Sequence, residues 1–160
     1  MISLSNHRSG LLAAVLLLPI AGAAAPFDAE ILVDLRRLSD PQLSPDGRRV
    51  AYVLRETDRE NDKGATDLWV VPADGSGSPR RLTSDPAADS QPRWAANGKA
   101  LYFLSKRGDH RQVWRLAGGE DSEPEAVTDL PLDVKAYALS PTGGHLVVSV
   151  DVYRDCPDLA

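Results

Sequence analysis

The chain has one cysteine, Cys156, and one methionine, Met1, in 160 residues. A single thiol cannot build an intrachain disulfide framework or a zinc knuckle. Histidine is nearly as scarce, with only His7, His110 and His145, so no His/Cys cluster has metal-ligand spacing. Serine never stands two residues after a glycine, so the G-x-S-x-G setting of a hydrolase nucleophile is missing. No glycine-rich run matches a phosphate loop. A dominant charge sign is lacking too: 18 Lys and Arg face 23 Asp and Glu, for a mild net charge of −5. No basic stripe points to nucleic acid, and no basic amphipathic helix points to a membrane surface. These absences leave no catalytic, cofactor-binding or metal residue to assign and imply no cofactor.

The one long apolar run, residues 11–18, follows His7 and Arg8 and leads into the small residues 21–25. A basic start, a short apolar middle and a small-residue end are the parts of a secretory signal peptide. Residues 1–24 are therefore expected to be a signal, cleaved near Ala23 or Ala24, and the mature chain to be periplasmic or secreted. An uncleaved anchor is the alternative, although the run is too short for a stable membrane span.

What the chain has is repetition. Residues 41–52 read PQLSPDGRRVAY, residues 92–103 PRWAANGKALYF and residues 137–148 YALSPTGGHLVV. Gly47, Gly98 and Gly143 are spaced by 51 and then 45 residues. Trp69 and Thr83 are separated by 14 residues, as are Trp114 and Thr128, and Pro79 matches Pro124. A period of about 40 to 50 residues with strand-like patterning indicates β-propeller blades.

Asp46-Gly47 and Asn97-Gly98 are hairpin dipeptides, because these residues tolerate the positive φ of tight turns. The β-rich runs 49–54 and 100–105 follow them, then 68–71 and 113–116, and 80–83 and 125–128 close each unit. The stretch 55–66, longer than its counterpart 106–111, is expected to be an inserted loop. Residues 28–38 are the one helical candidate, with Ile31, Leu32, Leu35 and Leu38 on one stripe, Asp28 as cap and Pro41 limiting extension. The fold expected is all-β, an incomplete propeller of about two and a half four-stranded blades with a short N-terminal helix. Its parts are a signal at 1–24, a lead-in helix at 25–40 and a partial propeller at 41–160, with blades near 41–83, 91–128 and 134–160. Two and a half blades leave pairing edges uncovered, so association or rapid proteolysis is expected of the chain alone.

Several residues invite a chemical reading and have a plainer one. Trp69, Trp94, Trp114 and Phe103 are placed to fill the space between neighbouring sheets. His110 lies in a turn and His145 opens a strand, each without an evident nucleophile or carboxylate partner. Asp58, Glu60 and Asp62 alternate like the start of a calcium loop, but Lys63 occupies the position that needs glycine. Gly75-Ser76-Gly77-Ser78 reads as a flexible turn. In an exported chain, Cys156 indicates either a partner outside the sequence or a free thiol.

The blade opening LSPDG, then DLW or QVW, then RLT or AVT, resembles the repeat of two exported groups. One is the N-terminal propeller of prolyl oligopeptidase family serine peptidases, of the acylaminoacyl peptidase and dipeptidyl peptidase branch. The other is the TolB-like periplasmic propeller, a binding module without enzymatic activity. The lead-in ILVDLRRLSDPQLSPDGRRVAYV, residues 31–53, and the stretch DVYRDCPDLA, residues 151–160, resemble the peptidases. That resemblance implies a propeller gating an α/β-hydrolase active site that this chain lacks, in an enzyme removing residues from peptide N-termini. It also implies peptide substrates met through the missing domain, and a disulfide partner for Cys156 beyond the chain. No catalytic residue of the family carries over to a position here, so this chain alone is expected to be inactive.

Overall fold

A computed structural model describes residues 28–59, 61–117 and 122–152. Residues 1–24, expected to be a signal peptide, and Cys156 lie outside the described residues.

The strands begin earlier than the sequence pattern suggests. Helix α1 covers only Ala29–Asp34, with Asp28 Oδ1 accepting the Ile31 amide at 2.9 Å as its N-cap. The chain turns extended at Leu35 (ψ 117°), and Arg37–Leu43 is strand β1 rather than the end of a helix. The cause is pairing. Arg37, Leu38 and Ser39 oppose Arg55, Leu54 and Val53 across an antiparallel ladder, which outweighs a marginal short helix. The helix is held by ion pairs instead of by its apolar stripe: Arg59 Nε meets Asp34 Oδ1 at 2.6 Å, and just beyond it Arg36 Nε meets Glu56 Oε1 at 2.9 Å. Leu32 and Leu35 remain about half exposed.

The first sheet runs β1, β2 (Arg49–Asp58), β3 (Lys63–Pro72) and β4 (Arg80–Arg81), each strand antiparallel to the last. The second runs β5 (Ser90–Trp94), β6 (Ala100–Ser105), β7 (Gln112–Ala117) and β8 (Glu125–Ala126) in the same order. A two-stranded sheet follows, β9 (Val134–Leu139) with β10 (Leu146–Val150). Among the described residues, three successive antiparallel sheets with no closed ring make an incomplete propeller. The six-residue excess of the first unit is a longer hairpin, not a loop: β2 and β3 stay paired from Arg49↔Pro72 out to Asp58↔Lys63. Residues of polar, two-sided character pair there because the ladder satisfies their backbone groups.

The repeat is legible in the backbone. Gly47, Gly98 and Gly143 have φ of 71°, 69° and 76°, the left-handed region that favours glycine. Each glycine amide donates three residues back, to Ser44, Ala95 and Ser140, and the same three residues donate to the carbonyls of Arg49, Ala100 and His145. Asp40 and Gln91, at φ 46° and 53°, mark matching bulges in β1 and β5. Thr83 and Thr128 close each sheet alike: Leu68 N donates to Thr83 Oγ1 at 3.0 Å, and Val113 N to Thr128 Oγ1 at 2.9 Å.

The core lies between the sheets. Ala51, Val53 and Leu68 from the first meet Leu101, Phe103 and Leu116 from the second, with Leu82, Trp94 and Trp114 around them. On the far side of the second sheet, Leu104 and Val113 meet Val134 and Tyr137. Phe103, Leu68, Leu104, Val113 and Val134 are fully buried, each contributing about 1.5–3 kcal/mol.

Candidate binding cleft between the first two blades

Side chains alternate along a strand, so Val70 and Arg80, which pair across β3 and β4, face the second sheet together. They form one wall of a cleft of about 340 Å³ with Leu82, Trp94, Leu101 and Leu116. Arg49, Arg80 and Lys99 bring three cations to it, and no aspartate or glutamate lines it. The glycine turn that precedes β6 places Lys99 at the rim, where its amide donates to Asn97 Oδ1 at 3.0 Å. Arg49 opens β2, and its guanidinium lies 4.7 Å from the Trp94 ring centroid while Nη2 donates to the Gly98 carbonyl at 3.0 Å. Trp94 is itself fixed, its indole N–H donating to the Gln42 carbonyl at 3.0 Å.

An equivalent cleft, of about 210 Å³, opens one sheet further on, lined by Val127, Leu139, Gly143, Gly144, His145 and Leu146 among others. The two glycine turns put Ala100 where Arg49 stands and Gly144 where Lys99 stands. Arg80 is matched by Glu125, which Arg115 Nη2 neutralises at 2.6 Å. The first cleft is therefore cationic over an apolar floor, whereas its counterpart carries none of those three charges.

Two buried carboxylates lie elsewhere around the first sheet. Asp89 is fully buried, receives Arg107 Nη2 at 3.0 Å, and donates its amide to Thr66 O. Burial pushes its carboxyl above the ordinary aspartate range, with the Ser105 and Thr83 hydroxyls and Arg107 pulling the other way. Arg107 also lies 5.3 Å from the ring centroids of both Phe103 and Trp114. Asp67, almost fully buried, pairs with Arg81 Nη2 at 2.6 Å, and its carboxyl is likewise raised by burial. Both are structural latches, each carboxylate closed by an arginine.

The sequence-level candidates separate. Trp94 and Trp114 pack between the sheets as expected, and the Trp114 indole donates to the Ser105 carbonyl at 3.2 Å. Trp69 occupies the opposite face of the first sheet, across from Tyr52 and Arg81, and its buried indole N–H has no hydrogen-bond partner among the described residues. His110 does have a carboxylate neighbour, contrary to expectation: Asp133 Oδ1 lies 3.7 Å from Nδ1. That distance is too long for a hydrogen bond. The Arg111 amide, donating at 2.7 Å, holds the Asp133 carboxyl below its usual range. His145 is exposed immediately before β10 rather than within it. The described residues contain no cluster of three or more His, Cys, Asp or Glu suited to a metal, and no helix among them is long and apolar enough to cross a membrane. The cationic cleft is not apparent from the sequence. Its signal was there, as Arg49 and Lys99 beside repeat glycines, but only sheet stacking brings the two together.

No family model matches the chain. Curated relatives do. It is 31% identical over 125 residues to the uncharacterized peptidase YuxL of Bacillus subtilis, covering 78% of this chain and 19% of that protein. It is 32% identical over 124 residues to dipeptidyl-peptidase 5 of Porphyromonas endodontalis, covering 77% and 18%. The acylaminoacyl peptidase of Pyrococcus horikoshii superposes with a TM-score of 0.63 over 82% of this chain and 20% of that one, at 20% identity, which speaks to fold alone. The chain is a propeller segment of the prolyl oligopeptidase family. It spans about a fifth of the length of the curated peptidases it matches. A Tol-Pal system protein TolB of Anaeromyxobacter dehalogenans is 53% identical, but over 51 residues, 32% of this chain and 10% of that protein.

Proposed function

We propose that this chain is the N-terminal propeller part of an exported serine peptidase that removes residues from peptide N-termini. In this reading the propeller narrows access to an α/β-hydrolase active site carried by another part of the protein. The observation that carries it is the breadth of the peptidase matches, each running through more than three quarters of the chain. The TolB match covers only a third and includes a single repeat length, so a non-enzymatic periplasmic binding module is the second reading.

Covalent hydrolysis needs a nucleophile activated by a positioned base, and His110 has Asp133 only at 3.7 Å. The chain by itself is accordingly proposed to hydrolyse no peptide. Export is inferred from the signal-like residues 1–24, and Cys156 is proposed to pair with a cysteine in another part of the protein.

A chimera tests the reading. This chain replaces the corresponding propeller segment of a dipeptidyl-peptidase 5, and the product is assayed on dipeptidyl anilides and on a long unfolded polypeptide. Retained dipeptidyl activity with exclusion of the long substrate is the expected result. A correctly folded chimera that cleaves both substrates alike would refute the gating role. Secretion of a reporter fused after Ala24 tests export separately.

A further inference from the structure

We propose that the cleft between the first two sheets is a binding site for an organic carboxylate with a compact apolar body, the chemistry shared by a peptide C-terminus ending in an apolar residue and a short fatty acid. It is independent of the peptidase reading, since it rests only on the cleft.

The charge comes first. A guanidinium has five N–H donors. Arg49 spends one on the Gly98 carbonyl and stacks its face on Trp94, which fixes the plane in which the others point. Lys99 adds a second cation at the rim. Arg80 lines the same space and has an interaction of its own, so Arg49 and Lys99 are the groups assigned to the ligand. With no carboxylate in the lining to neutralise them, an incoming anion meets charge-assisted donors.

The floor decides what kind of anion. Val70, Leu82 and Leu101 line the same cleft as those cations, so a small inorganic anion would satisfy the charges and leave the apolar surface wet. A carboxylate bearing an apolar group uses both. The volume of about 340 Å³ stands at the small end of ligand pockets, suiting a body the size of one amino acid derivative.

The neighbouring cleft is the internal control. It has the same glycine turn and the same backbone hydrogen bonds, yet the repeat puts Ala100 and Gly144 at the positions of Arg49 and Lys99. Blade packing therefore does not demand these charges.

The test uses the full chain with an isotopically labelled backbone and indoles. The Trp94 indole N–H, held on the Gln42 carbonyl, reports the cleft, and Gly143 and Gly144 report its counterpart. N-acetyl-L-phenylalanine and octanoate are titrated alongside their amides. Saturable shifts of Trp94 with at least one acid, about tenfold or more weaker with its amide, are expected, with Gly143 and Gly144 unmoved. Which acid binds distinguishes a peptide end from a lipid source. The double variant Arg49→Ala, Lys99→Gly, which installs the residues of the second cleft, should abolish the shift while keeping the folded spectrum. Should that variant fail to fold, the acid-against-amide comparison on the native chain decides alone. Equal binding of acid and amide, or no saturable shift with either acid, would overturn the assignment.

Discussion

The interface between the first and second sheets and that between the second and third share one backbone plan but fill it with different chemistry. At the first, the Asp89 carboxyl is fully buried and closed by Arg107. One repeat later the same place holds Val134, fully buried and apolar, with its amide bonded to Arg111 O as that of Asp89 is to Thr66 O. Before each tryptophan the exchange recurs. Asp67 with its arginine is matched by Gln112, a neutral hub that accepts from Thr128 Oγ1 at 2.7 Å and Leu130 N at 3.1 Å and donates to Leu130 O at 2.9 Å. A blade position specifies where a backbone group must be satisfied, not whether charge or neutral chemistry does it. Charge is concentrated at the first interface, at its latch and in its cleft.

The largest effects test whether the latch is needed. Arg107→Ala strands a buried carboxylate and removes the cation from Phe103 and Trp114. It should cost about 3–5 kcal/mol in urea unfolding. The pair Asp89→Val with Arg107→Met installs an apolar solution like that of the second interface and should restore most of the loss. A double variant as unstable as Arg107→Ala would show that the two interfaces are not interchangeable.

Next come the threonines, where the interfaces agree. Thr83→Val and Thr128→Val each orphan a backbone N–H, for about 1–3 kcal/mol. The larger loss is expected at Thr83, which is buried, than at half-buried Thr128. The reverse order in denaturant midpoints would contradict this account of burial.

Gly98→Ala and Gly143→Ala should each cost about 1 kcal/mol, through strain at positive φ. An added Cβ meets only Pro45 Cδ at 3.6 Å in the first case and nothing within 4 Å in the second. Thermal shifts should therefore be similar, and a much greater loss at Gly98 would reveal packing that this geometry does not contain.

The smallest effect is in pH. Burial raises the Asp89 carboxyl in the fold, so the folded state holds its proton to higher pH than the unfolded chain does. Its contribution to stability is then greatest in acid and falls as pH rises from about 4 towards the folded value. Asp89→Asn cannot take up or release this proton. The stability of that variant relative to the parent should rise across the same window and then level off, as read from urea titrations at stepped pH. An unchanged difference would mean that Asp89 titrates alike in both states.

Much of the fold was legible because its signals are local. Glycines at fixed steps, strand-like runs after them and the closing threonines describe groups within a few residues of each other or paired across one hairpin. The sequence pattern extends the helix to Leu38, whereas α1 ends at Asp34, because an apolar stripe looks the same whether it packs as a helix or pairs as β1. Residues 55–66 read as a loop in the sequence because polar residues on both faces hide the strand alternation, although residues 55–58 pair with residues 63–66. The cationic cleft was not legible: Arg49 and Lys99 are fifty residues apart and meet through stacking.

The sequence by itself determined the repeating unit, its turns and the order of its strands, since these depend on backbone preferences and hydrogen bonds satisfied within one sheet. Only the tertiary structure decided what each face meets. Trp69 and Trp114 occupy the same place in the repeat, yet Trp114 packs into the core between two sheets with its indole bonded, while Trp69 lies on the other face of the first sheet with its indole N–H unpartnered. The physical reason is that side-chain contacts between blades depend on which sheet stands alongside, and a repeat carries the same residue to every position whatever its neighbour.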